Sequence, residues 1–179
     1  MFGKIEEYFR KLEMKEMNGS ELIYKKLKDL NIPFEYHEHP PAPTIEIAKE
    51  YWKDLDATHC KNIFLRNHKG DRHYLVVFEH TQNLSIKSLE QMLKQGKLSF
   101  ASDWRLEQYL KVKAGSISPL ALINYVENHV HVFFDQVLLN SKSISFHPGI
   151  NTASLVLSFT DFERFMNETG NSFEFLKLY

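Results

Sequence analysis

Several short stretches of this chain carry side chains able to do chemistry. Lys61 and Asn62 stand together at the head of an apolar run, Ile63-Phe64-Leu65. Strand ends are commonly polar, so this pair alone decides nothing. Gly115-Ser116-Ile117-Ser118-Pro119 sets a glycine and a proline four apart. Such a glycine lets the backbone approach a ligand closely, and the proline fixes the exit of the loop. Exposed N–H and C=O groups between them could read a small polar group. His147-Pro148, followed by Asn151-Thr152, makes a second polar loop. Its plainest reading is a turn closed by an Asx-type hydrogen bond.

Two histidine pairs, His37/His39 and His129/His131, have the two-residue spacing that puts side chains on one face of a strand. Such pairs can bind metal. No H-E-x-x-H is present, and the sole cysteine, Cys60, lies outside any metal-ligand spacing, so no metal is expected. Cys60 beside Lys61 would have a lowered pKa if it were a nucleophile. A small hydrophobe at a strand start is its expected role. Neither a G-x-S-x-G elbow nor a P-loop occurs.

These residues must be held by elements, and the chain is organised around one hairpin, 60–79. The runs Ile63 to Leu65 and Tyr74 to Phe78 flank the polar turn Asn67-His68-Lys69-Gly70-Asp71, which predicts two antiparallel strands. Both runs are nearly continuous, so both faces should be covered and the hairpin should be central. Helices are expected over 21–30, 45–51 (capped by Thr44), 85–93, 103–110 and 161–167 (capped by Thr160), with a helical turn over 120–125. Further strands are expected over 34–39, 97–101, 130–134, 144–146 and 155–159, with an edge strand over 173–178. The order lacks a strict βαβ rhythm. We therefore expect an α+β fold with a mixed sheet rather than a doubly wound one. Phe2, Ile5, Phe9 and Leu12 give 2–17 the spacing of an amphipathic helix, which would dock on the domain or on a partner; Met17 could also be the true start. Residues 1–18 are read as an N-terminal helical extension and 19–179 as one domain.

Bulk properties bound the partners. Net charge is −1, so no global field draws in nucleic acid, and any RNA contact needs a local basic patch. The lone cysteine forbids an internal disulfide and suits a reducing compartment. No run approaches the roughly 20 apolar residues of a membrane span. The expected setting is the cytoplasm.

In this order, HPPAPT (39–44), KNIFLR with the KG and RHYLVV that follow (61–77), GSISPLAL (115–122) and FHP-x-x-NTAS (146–154) resemble the editing-domain family related to the insertion domain of bacterial prolyl-tRNA synthetase, also called YbaK-like. The resemblance runs from residue 20 to about 168. Within the family, the hairpin and GS-x-SP-x-AL look most like the freestanding alanyl-tRNA(Pro) deacylases, which hydrolyse alanine mischarged onto proline tRNA. The resemblance implies a mostly antiparallel, barrel-like sheet with flanking helices and a pocket without metal or cofactor. It implies catalytic roles for Lys61, Gly115 and His147. Substrate contacts would come from Thr44, Asn62, Ser116, Ile117, Ser118, Pro119, Asn151 and Thr152. Ser154 stands where the family usually has threonine. Its implied partners are the tRNA acceptor end and prolyl-tRNA synthetase. Two alternatives stay open: the same fold acting on cysteine or serine mischarged onto tRNA, and a silent module that binds tRNA or a synthetase.

Overall fold

The computed structural model describes residues 19–179. The segment read from sequence as an N-terminal helix lies outside the described residues. The central hairpin forms as expected, with β2 (Thr58–Asn67) antiparallel to β3 (His73–Glu79) and Cys60 opposite Glu79. Its continuous apolar runs are explained by alternation between two buried faces. Phe64, Leu75 and Val77 enter one core, and Leu65, Tyr74, Val76 and Phe78 enter the other. Fully burying one such side chain is worth about 1.5–3 kcal/mol, so both faces specify the register.

The remaining strands are β1 (Glu35–Glu38), β4 (Leu98–Phe100), β5 (Val130–Asp135), β6 (Ser143–Phe146), β7 (Ala153–Ser158) and β8 (Phe173–Leu176). They order as β1-β7-β6-β2-β3-β5-β8, with β4 pairing off β2. The β1/β7, β6/β7, β2/β3 and β2/β4 pairs are antiparallel. The β2/β6, β3/β5 and β5/β8 pairs are parallel. The sheet is therefore mixed and open, with β1 and β8 at its edges. The expected barrel does not close.

On the larger core face, α1 (Gly19–Asp29) brings Ile23 and Leu27, α4 (Asp103–Leu110) brings Leu106 and Leu110, and α5 (Phe159–Asn167) brings Phe162 and Phe165. On the other face, α3 (Ile86–Leu93) brings Leu89 and Leu93. α2 (Ile45–Trp52) buries only Ala48 and leaves most of its length free to wall a cavity. Several boundaries differ from the sequence reading. α1 begins at Gly19, two residues before the expected start. The last helix is capped by Ser158, whose hydroxyl accepts from the Asp161 N–H, and Thr160 lies inside it. α3 ends at Leu93 as expected, with Lys94 in the left-handed conformation as its C-cap. A 3-10 turn, Pro119–Asn124, stands where a helical turn was expected, and a second, Gln136–Asn140, had no sequence signal.

Candidate active site

A cavity of about 330 Å³ opens where β2 begins. Thr44, Ile45, Ala48 and Trp52 of the α2 segment form one wall, and Lys61, Asn62 and Ile63 form the floor. Gly115 and Ile117 close one side, and His147 and Ser154 the other. The sequence-separated Lys61, Asn62, Gly115 and His147 thus line a single space.

Each lining residue is held by identifiable bonds. Lys61 Nζ donates to the Gln82 carbonyl at 2.9 Å and to Asn83 Oδ1 at 3.1 Å, which ties its ammonium to the loop after β3. Its charge also reaches Glu46 in the first turn of α2. That carboxyl is held below its ordinary value chiefly by its own backbone N–H, then by the Thr44 side chain, with smaller help from Lys49 and Lys61. Asn62 Nδ2 donates to the Ile117 carbonyl at 2.9 Å, and its Oδ1 is buried without a partner. Thr44 occupies the N-cap position of α2, with no side-chain bond to the helix N–H groups.

Gly115 has φ +83°, and a Cβ there would lie 3.0 Å from the Pro43 carbonyl oxygen and 3.1 Å from Pro43 Cα. The sequence reading expected this glycine to make room for a ligand. Its immediate neighbour is instead the backbone that leads into α2, so the glycine lets two walls of the cavity meet.

The loops divide sharply. Ser118 is fully buried, and its Oγ accepts from the Leu120 N–H to cap the first 3-10 turn, which Pro119 opens. Ser116 is buried, with its N–H on the Lys113 carbonyl. The Asn151 and Thr152 carbonyls accept from the Ala42 and His39 N–H groups and extend the β1/β7 pairing past the end of β1. Ser116, Ser118, Pro119, Asn151 and Thr152 are not among the residues lining the cavity. They hold its walls: Ser116, Ser118 and Pro119 are buried and must satisfy their own backbone, and the half-buried Asn151 and Thr152 spend their carbonyls on the strand ladder.

His147 Nδ1 lies 2.8 Å from the Ala153 carbonyl, which can only accept. Nδ1 therefore carries the proton, and Nε2 is left as an acceptor. Burial pushes the imidazole below the ordinary histidine range; the Ala153 bond opposes this and His39 adds to it. The Cys60 thiol is raised well above its usual value by burial, with Glu79 and Asp135 adding to the effect. A thiolate nucleophile here is disfavoured.

The two histidine pairs each separate to different partners. β1 ends at Glu38, so His37 pairs with Glu35 while His39 turns inward. His129 bonds His73, and His131 bonds Ser172 and Glu174. Among the described residues no group of three or more His, Cys, Asp or Glu could hold a metal ion. Sequence reasoning weighed His39 only as half of a metal pair and Ser154 only as a departure from the family's threonine, and gave neither a place at this cavity. It also passed over Trp52, which had no local signal beyond its place on α2.

A family model described as the aminoacyl-tRNA editing domain matches residues 39–165. The prolyl-tRNA editing protein ProX of Acetoanaerobium sticklandii is 37% identical over 164 residues, covering 91% of this chain and 99% of the relative. Prolyl-tRNA synthetase associated domain-containing protein 1 of Bos taurus is 32% identical, covering 87% and 94%. A crystal structure described as a candidate trans-editing enzyme for prolyl-tRNA synthetase superposes with TM-score 0.65 at 16% identity, over 90% of this chain and 98% of that one, and supports the fold. With two thirds of its length matched and a relative covered end to end, this chain belongs to the aminoacyl-tRNA editing domain family.

Proposed function

We propose that this protein is a trans-editing deacylase that hydrolyses the ester of mischarged tRNA, with alanine on proline tRNA as its substrate. The observation that carries this reading is the convergence of Lys61, Asn62, Gly115 and His147 on one cavity in a chain of the editing family. The similarity to a prolyl-tRNA editing protein over nearly the whole chain supports the choice of tRNA. In this reading residues 19–179 act as one editing unit in the cytoplasm, and prolyl-tRNA synthetase is the neighbour that releases the substrate. Among the described residues no helix is long and apolar enough to cross a membrane.

The chemistry asks little of the protein. An aminoacyl ester is already activated, so positioned water suffices. Water oxygen attacks the carbonyl carbon, the bond from that carbon to the ribose oxygen breaks, and the ribose oxygen takes up a proton as the amino acid leaves. The vicinal ribose hydroxyl can relay that proton. Lys61 supplies positive charge for the terminal phosphate or the 3′ end. The Gly115–Ile117 backbone, pinned by Asn62, positions the ester. His147, neutral at pH 7, presents an acceptor that orients water or substrate. Ile45, Ala48 and Ile63 limit the acyl side chain by size, which rejects larger residues better than smaller ones.

A deacylation panel of alanyl-, cysteinyl- and seryl-tRNA tests the assignment. Preferential loss of alanine from proline tRNA is the expected result. Preferential loss of cysteine or serine would reassign the substrate, and tRNA binding without turnover of any ester would make the chain a silent module.

A further inference from the structure

His39 plays no part in the steps above, yet it is buried at 6% exposure beside the cavity. Its ring stacks on Tyr51, with centroids 5.0 Å apart and planes within 7°, and meets His147 edge-on at 5.7 Å. Its Nδ1 lies 2.8 Å from the Pro40 carbonyl. A carbonyl only accepts, so Nδ1 carries the proton and Nε2 of the neutral ring is an acceptor. Ser154 Oγ lies 3.2 Å from that Nε2 and must donate to it. A hydroxyl has one proton. Once it is committed to His39, the Ser154 oxygen can only accept from the cavity it lines.

One further lining group has the same sign. His147 has its proton on the Ala153 carbonyl and keeps Nε2 as an acceptor. Asn62 donates to Ile117, and its Oδ1 is buried away from the open space of the cavity. The Lys61 ammonium spends two of its three N–H donors on Gln82 and Asn83, and its charge faces the phosphate end of the substrate in the reading above. Two neutral acceptors lining one cavity, Ser154 Oγ and His147 Nε2, suit a ligand group made only of donors. On the aminoacyl ester that group is the α-ammonium, with three N–H donors.

We propose that Ser154, oriented by His39, accepts a hydrogen bond from the free α-ammonium group of the aminoacyl ester. The site thereby selects esters with a free amino group over α-hydroxyacyl esters and over esters whose amino group is acylated. Ser154 touches the substrate and His39 is a positioning residue. This inference rests on the deacylase reading above.

The test compares alanyl-tRNA(Pro) with lactyl-tRNA(Pro), made by nitrous acid deamination, in which a hydroxyl replaces the ammonium. The wild type should prefer the alanyl ester by about tenfold or more in kcat/KM, the scale of one charge-assisted hydrogen bond. Ser154→Ala should bring that ratio down to the ratio of the uncatalysed hydrolysis rates, because the ammonium itself activates its ester. Ser154→Thr, which keeps the hydroxyl, should retain the wild-type ratio. His39→Phe keeps an aromatic ring on Tyr51 but removes Nε2, and should lower the ratio as Ser154→Ala does. A merely structural role would lower both rates and leave the ratio alone. Calorimetry with the non-hydrolysable amides 3′-alanylamido- and 3′-lactylamido-3′-deoxyadenosine reads the same preference without turnover. Absence of hydrolysis with a clear alanyl preference in binding would sink the deacylase reading and keep the ammonium site. Equal handling of the two acyl groups by the wild type, or an unchanged preference in a folded Ser154→Ala, would overturn the proposal.

Discussion

Asn62 and Ile117, 55 residues apart in sequence, are joined by a 2.9 Å hydrogen bond from the Asn62 side-chain amide to the Ile117 carbonyl. This bond ties the head of the central strand to the loop that closes the cavity. The loop therefore takes its position from the most deeply paired part of the sheet.

Asn62→Leu should release that loop. The Ile117 carbonyl loses its donor, and leaving a partly buried acceptor unpaired costs about 1–3 kcal/mol. Urea denaturation should show a loss of that size, and deacylation should fall more than stability accounts for at temperatures where the variant is fully folded. Wild-type turnover in the folded variant would separate the loop from the active site.

Lys61→Ala should behave differently. The groups that hold its ammonium, the Gln82 carbonyl and Asn83 Oδ1, lie in a loop that water can reach, so their loss of a partner is repaired by solvent. We expect a nearly unchanged urea midpoint together with a fall in kcat/KM of roughly tenfold or more, the scale of one charge-assisted contact. Near-wild-type turnover would remove Lys61 from the mechanism.

Gly115→Ala combines two costs. A left-handed φ of +83° costs an L-residue about 1–2 kcal/mol, and the new methyl would press on the Pro43 backbone at 3.0 Å. The variant should lose stability and also shift the segment that leads into α2, so KM should rise. An unchanged melting temperature and unchanged KM would show that Gly115 is not the contact between the two walls.

Acid should weaken both activity and stability. His147 lies below its ordinary value because it is buried, so it is neutral at pH 7. As pH falls through its lowered pKa, Nε2 gains a proton and ceases to accept, and kcat/KM should drop. His59 and His73 are each lowered to about 4, chiefly by burial. Their unfolded forms take up protons near 6.5 while the folded forms do not, so the unfolded state binds more protons. Their stabilising contribution is present above about pH 6.5 and is lost as pH falls toward 4, at a limiting slope of at most about 1.4 kcal/mol per pH unit for each. Urea midpoints measured from pH 7 to pH 4 should fall steadily, and His73→Phe should flatten that slope. A flat profile in the wild type would contradict the lowered values.

Residue order alone determined the hairpin, the burial of both its faces, most helix positions and the motifs that place the chain in its family. These are local signals, since apolar periodicity reports which faces of a strand or helix are covered. It also placed Lys61, Asn62, Gly115 and His147 together as candidates. Tertiary structure alone decided how the polar loops divide between walls and lining. Ser118 and Asn151 look as reactive on paper as His147, but Ser118 is buried with its hydroxyl on the Leu120 N–H, and Asn151 is half-buried with its carbonyl on the Ala42 N–H. His39 and Ser154 are 115 residues apart, and no spacing rule joins them. Their bond exists because β1 pairs with β7 and the chain beyond β1 follows the same ladder as far as Thr152. The direction of that bond is set by the Pro40 carbonyl, a backbone group whose place is known only once the chain has folded.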